Sequence, residues 1–142
     1  MKQYHTQIVI NAPVEKVWQA LTDFDSYPTW NPLVGSLSGE MKTGGTLTTY
    51  IVPLQKTYHP TLLVYQPYEE LTWQGIQGAK FLMAGKHYYK LKKISKNQTQ
   101  LSHGEWFTGL MAYLIPKALL QKMEAAFVNH NQLLKQRIEH EN

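Results

Sequence analysis

An α+β fold, with strands ahead of one long closing helix, is what this sequence of 142 residues predicts. Three observations predict it. The last third, roughly Leu110 to Glu139, repeats apolar residues by threes and fours, at Leu119, Met123, Ala126, Phe127, Leu133, Leu134 and Ile138. The stretch before it reads as short strands separated by turn residues. No internal repeat, low-complexity stretch or linker divides the chain, so residues 1–142 are expected to form one domain.

The helix sets the requirement for the rest. Lys117, Lys122, Glu124, Asn129, Asn131, Gln132 and Lys135 occupy its other side and are expected to face water. At about 1.5 Å per residue such a rod is more than about 30 Å long. It must lay its apolar face on something, and a sheet is what the preceding residues offer.

Gln3 to Ile10 alternates and is rich in β-branched residues, with Ile8 and Ile10 on one face, which predicts a first strand. Asn11 is a candidate helix cap and Pro13 suits a first helical turn. Val14, Val17, Trp18 and Leu21 have helical spacing, so a short helix should end near Thr22 or Asp23. Pro28 and Pro32 then restrict the chain to a single helical turn around Ser26 to Trp30. From there an antiparallel meander is expected: Leu33 to Met41, Gly45 to Val52, Thr57 to Gln66, Glu70 to Gln74, Phe81 to Ile94 and Thr99 to Phe107. Turn residues punctuate it at Lys42-Thr43-Gly44-Gly45, Pro53-Leu54, Pro67-Tyr68, Gly75 to Gly78 and Ser95-Lys96-Asn97. With the first strand, this makes seven.

Composition narrows the function classes. A chain 43% hydrophobic and 17% charged has the balance of an ordinary globular protein. The absence of cysteine excludes disulfides and thiolate chemistry. Met1 to His5 leads straight into a strand without the apolar block of a signal peptide, and the longest apolar run, Leu110 to Pro116, is far short of a membrane span. A cytoplasmic protein without stable membrane insertion is expected. Lys86, Lys90 and Lys92 share strand parity and so line one wet face, and the chain has a single arginine, Arg137. Nucleic acid is not the expected partner.

Ile8-Val9-Ile10-Asn11-Ala12-Pro13-Val14-Glu15-Lys16-Val17-Trp18 resembles the opening of the START-like superfamily also called SRPBCC, in particular its polyketide cyclase/dehydrase-like branch. The resemblance continues through Asp23-Phe24-Asp25-Ser26-Tyr27-Pro28-Thr29-Trp30-Asn31-Pro32. It recurs at Leu71-Thr72-Trp73 and at His103-Gly104-Glu105-Trp106-Phe107-Thr108-Gly109. It implies the helix-grip fold: a curved seven-stranded antiparallel sheet around the long C-terminal helix, two short helices after the first strand, and a cavity between sheet and helix. It also implies that Trp18 and Trp30 belong to the two-helix corner that plugs one end of the sheet. These are scaffold motifs, and fold alone does not assign a chemistry.

Candidate chemistry comes from strand parity. Met83, His87, Tyr89 and Leu91 share one face, as do Leu101, His103, Glu105 and Phe107, and inward residues of paired strands face one another. A three-residue loop at Ser95-Lys96-Asn97 would put His87 opposite Glu105 and Tyr89 opposite His103, whereas a one-residue shift would pair Tyr89 with Glu105. His130, three after Phe127 and four before Leu134, lies on or beside the covered helix face. The candidate ligand-binding set is therefore His87, Tyr89, His103, Glu105 and His130, within walls of Trp73, Met83, Phe107, Met123 and Phe127.

Three readings of this set stay open. It is a buried polar cluster whose members satisfy each other. It orients a small, largely hydrophobic ligand. Or His103, Glu105 or His87 acts as an acid or base in a cyclisation or dehydration. An interaction module of the Hsp90-activator type is a further alternative. No dense metal motif is present, and neither a metal nor a cofactor is expected. Gly109 to Pro116 forms an apolar lip where the last strand hands over to the helix.

Overall fold

A computed structural model describes residues 2–140. Strand β1 (Lys2–Ile10) leads into helix α1 (Val14–Thr22), a short 3-10 turn and the single-turn helix α2 (Tyr27–Trp30). The strands β2 (Val34–Gly39), β3 (Leu47–Ile51), β4 (Lys56–Tyr58), β5 (Thr61–Gln66), β6 (Glu70–Ile76), β7 (Ala84–Ser95) and β8 (Gln98–Thr108) follow. A 3-10 segment, Leu110–Leu114, then joins β8 to the long helix α3 (Lys117–His140).

The meander is antiparallel throughout and pairs in the order β1-β8-β7-β6-β5, with β2-β3-β4 as a second group. The eighth strand arises at His59-Pro60. Proline has no amide hydrogen to give a ladder, so the expected Thr57 to Gln66 strand divides there. Its first half pairs with β3 and its second with β6. The two groups still meet: Thr46 bridges Thr61, Leu47 N–H donates to the Pro60 carbonyl at 2.8 Å, and Leu62 N–H donates to that of Gly45 at 2.8 Å. The result is one curved surface with a crease.

Two boundaries differ from the sequence expectation by three residues or more. Phe81 to Met83 form a turn rather than the start of β7, with Leu82 N–H and Met83 N–H both donating to the Ala79 carbonyl. The long helix begins at Lys117 instead of Leu110, because Pro116 supplies no donor to a preceding turn. Asn11 does not cap α1 either. Pro13 holds the cap position, and the Asn11 side chain instead accepts from Gln98 Nε2 at 3.0 Å.

Gly109 makes the turn from β8 into the 3-10 segment. Its φ is +100°, and a Cβ there would sit 2.5 Å from the Leu82 carbonyl oxygen, so only glycine fits the passage. That passage brings Leu110 and Met111 alongside the Phe81-Leu82 turn, with backbone bonds of 3.0 and 2.8 Å.

The core lies between the concave face and α3. Tyr4, Ile10, Leu71, Trp73, Tyr89 and Leu101 contribute from the sheet, and Met123, Phe127, Leu134 and Ile138 from the helix. Burying each large apolar side chain stabilises the fold by about 1.5–3 kcal/mol. Trp18 and Trp30 pack in the two-helix corner, Trp18 edge-on to Tyr65 and Trp30 against Tyr27. No helix among the described residues is long and apolar enough to cross a membrane.

Candidate functional site: a cavity between sheet and helix

The β7–β8 register pairs His87 with Glu105 and Tyr89 with His103, and β6 places Trp73 beside His87. The turn itself is two residues long, Lys96-Asn97, and a bulge at Ile94 restores the register that a three-residue loop would give. All five side chains point to the concave side. There a cavity of about 310 Å³ opens between the sheet, the β2-β3-β4 group and the first turns of α3.

Of the ten candidate residues, Trp73, Met83, His87, Glu105, Phe107, Met123 and Phe127 line this cavity. Tyr89, His103 and His130 do not. They are fully buried behind its wall, where α3 lies directly on β8. His103 is thereby removed from the candidates for contact with a substrate. The remaining lining is mostly apolar and includes Leu33, Val34, Ile51, Leu119 and Leu120, while Leu54, Ile76 and Gln77 form an exposed rim.

The sealed residues form one network centred on Asn131. Its Oδ1 lies 2.8 Å from His103 Nδ1 and 3.0 Å from His130 Nδ1, and its Nδ2 donates to Thr6 Oγ1 at 2.8 Å. Thr6 in turn donates to the His103 carbonyl at 2.6 Å. A carbonyl only accepts, so the threonine proton is committed there and Thr6 must accept from the amide. This fixes the Asn131 orientation, and the proton positions follow from partners. His103 and His130 both carry their protons on Nδ1. Tyr89 donates to His130 Nε2 at 2.9 Å, and His87 Nε2 donates to His103 Nε2 at 2.8 Å. Every imidazole is neutral in this arrangement. Burial acts in the same sense, holding His87 and His103 well below the usual histidine value and His130 at about 4.

Glu105 stands apart from the histidines. Its Oε1 accepts from Tyr4 Oη at 2.7 Å. Burial raises its pKa to about 7, and the Tyr4 hydrogen bond only partly opposes the rise. Gly85 makes the space: a Cβ there would lie 3.0 Å from Glu105 Oε2 and 3.1 Å from the Phe107 ring. The Glu105 charge also helps raise the Tyr58 hydroxyl on the opposing β4, although burial is the larger cause. Among the described residues no group of three or more histidine and carboxylate side chains is arranged to hold a metal ion.

Residues 1–135 match the family described as polyketide cyclase / dehydrase and lipid transport. The chain belongs to that family. No curated protein matches its sequence. A hypothetical protein from Helicobacter pylori superposes with a TM-score of 0.79 at 14% identity, covering 96% of this chain and 87% of that one. A START superfamily protein from Mycobacterium smegmatis gives 0.72 at 14% identity, covering 99% of both chains. The Zhui aromatase/cyclase from Streptomyces sp. R1128 gives 0.69 at 16% identity, covering 97% of this chain and 93% of that one. At such identities these structures establish the shared START-like fold of this polyketide cyclase-family member and nothing about its ligand.

Three residues of the site, Tyr4, Thr6 and Asn131, were not among the sequence candidates, yet periodicity marks each. Tyr4 and Thr6 share parity with Ile8 and Ile10, and Asn131 is four after Phe127 and three before Leu134. The polarity of Asn131 hides it; it is buried at 3% exposure.

Asn131→Leu should therefore be costly, because two buried imidazole N–H groups lose their acceptor at about 1–3 kcal/mol each. Urea denaturation should show a loss of roughly 3–5 kcal/mol, against less than about 0.5 kcal/mol for Asn129→Ala on the exposed face. An Asn131 variant of unchanged stability would contradict the network.

Stability should also vary with pH in two directions. The histidine pKa values are lowered, so the unfolded chain takes up protons first, and stability falls as pH drops below about 6.5 toward the folded value, about 4 for His130. Glu105 is raised, so its contribution falls as pH rises from about 4.5 to about 7. Three histidines outweigh one carboxylate on the acid side. Thermal melts should peak near about pH 6.5 and decline steeply toward about pH 4. In Glu105→Gln the shallower decline above the peak should disappear, and a melting temperature flat from about pH 6 to about pH 4 would contradict neutral buried histidines.

Proposed function

We propose that this protein binds a small, largely hydrophobic molecule in the cavity between sheet and helix. The observation that carries the reading is the cavity itself: about 310 Å³ of mostly apolar wall with His87 and Glu105 as its buried polar groups. That size and that ratio of greasy surface to polar handles are typical of sites for small organic molecules. A solid core would have buried the same helix face at lower cost, since unfilled space forfeits packing energy. The family description, with its pairing of polyketide chemistry and lipid transport, points to the same class of guest.

One observation favours a second reading, a cyclase or dehydrase using the same pocket. A carboxyl held near about pH 7 in an apolar cavity is matched to proton transfer at neutral pH. In that reading Glu105 exchanges the proton, and His87, unlike His103 and His130, lines the cavity that holds the guest.

Binding of N-phenylnaphthylamine, a neutral apolar fluorophore, tests the first reading. Wild-type protein should enhance its emission, and solvent extraction of freshly purified protein should release an apolar compound. Leu119→Trp fills the cavity from the helix side and should weaken binding by about 10-fold or more while leaving the melting temperature unchanged or raised. Unaltered binding in that variant would place the dye elsewhere and count against the cavity. For the second reading, Glu105→Gln should abolish turnover of a poly-β-keto substrate while binding survives; equal turnover by the variant removes Glu105 as the acid or base.

A further inference from the structure

The sealed network has a consequence for the cavity it adjoins. Thr6 commits its proton to the His103 carbonyl, which turns the Asn131 oxygen toward both histidines and places protons on His103 Nδ1 and His130 Nδ1. His103 Nε2 is then a lone pair, so the proton of the 2.8 Å bond to His87 belongs to His87 Nε2. A neutral imidazole has one N–H. His87 Nδ1 is therefore an acceptor, and it is buried with no partner among the described residues. His87 is 5% exposed, lines the cavity and is held flat against Trp73, with ring centroids 4.1 Å apart. It has no freedom to exchange the roles of its nitrogens without unmaking the chain behind it.

Its cross-strand partner Glu105 spends one oxygen on the Tyr4 hydroxyl, and its Oε2 takes no hydrogen bond from a described residue. Tyr4, which is hydrogen-bonded to that carboxylate, is already donating. Side chains directly opposite on paired strands stand about 4.5–5.5 Å apart at Cβ. The polar end of the chamber thus presents Glu105 Oε2 as its open acceptor, with the His87 ring beside it and its Nδ1 occluded, while Tyr58, His59 and Gln77 are the other polar side chains of the lining.

We infer that the cavity selects apolar molecules that carry a hydrogen-bond donor, a phenol or alcohol hydroxyl, and excludes those that carry a carboxylate at that end. The inference rests on the ligand-binding reading above and specifies its guest. A hydroxyl satisfies a buried acceptor that otherwise goes unpaired, whereas a hydrocarbon leaves it so. A carboxylate brings lone pairs to lone pairs and a negative charge to Glu105.

Calorimetric titration with three para-substituted probes, hexylphenol, hexylbenzene and hexylbenzoate, at about pH 8 separates the cases, since Glu105 is then ionised. Hexylphenol is expected to bind about 10- to 100-fold tighter than hexylbenzene, with hexylbenzoate weakest. In Glu105→Gln, checked for folding by its melt, the penalty on hexylbenzoate should shrink. Equal affinities for all three, or hexylbenzoate tightest, would overturn the inference while leaving the ligand-binding reading intact. Failure of every probe to bind would remove both. Nitrogen-15 spectra of the histidines test the premise without any ligand: His87 should be protonated on Nε2, and His103 and His130 on Nδ1. A proton on His87 Nδ1 would overturn the assignment.

Discussion

The carboxamide of Asn131 is the interaction on which the rest of this molecule depends. It is the one side chain that ties α3 to β1 through Thr6, to β8 through His103, and to its own neighbour His130. Apolar packing alone would leave the helix free to slide along the concave face, because hydrophobic contact is not directional. A hydrogen-bonded network in which each imidazole proton has its acceptor allows one register. Reading the network from Thr6 outward leaves no histidine proton in surplus and none missing, which is why three imidazoles are buried together without a counter-ion.

That arrangement divides the concave face into two regions with different physics. Toward the C-terminal half of α3, Phe127, Leu134 and Ile138 meet the sheet directly and the polar groups among them are sealed. Toward the N-terminal half, Leu119, Leu120 and Met123 face the cavity instead. Glu105 and His87 fall on the border, opposite one another, with His87 Nε2 bonded into the sealed network. The candidate polar residues thus fall into two sets, one sealed and one bordering the cavity. Histidines His103 and His130 hold the scaffold, and Glu105 and His87 face the space it encloses.

Much of this was legible in the chain. Period-2 alternation in β7 and β8 left two registers open; the one expected from a three-residue loop at residues 95–97, His87 opposite Glu105, is the one observed, reached through a two-residue turn and a bulge. The threes and fours of α3 identified Met123, Phe127, Leu134 and Ile138 as its covered face. What stayed hidden was polarity used against type. Asn131 reads as a wet residue, yet its spacing puts it in the core, where the partners that repay its burial come from strands more than a hundred residues earlier and nearly thirty residues earlier. Whether His103 lines the cavity or lies behind it depends on how closely α3 approaches β8, a distance that periodicity does not contain. The division of one expected strand at Pro60 was visible as a proline, but its outcome, two half-strands serving different partners, required the curvature of the whole sheet.

The same division bears on how a guest would enter. Opening the cavity from the C-terminal side means breaking Asn131's bonds to His103, His130 and Thr6, which is costly. From the other end the barrier is low. Leu110, Tyr113 and Leu114 are exposed, their 3-10 segment is held mainly by two backbone bonds to the Phe81-Leu82 turn, and Pro116 interrupts the helical ladder between them and α3. The rim residues Leu54, Ile76 and Gln77 belong to that end as well. If the chamber takes a guest, a polar wall closed firmly and an apolar lip closed loosely would admit it greasy end last, with a hydroxyl leading toward Glu105. Orientation and admission would then follow from one fact of construction, the placement of the Asn131 network behind the polar end of the cavity.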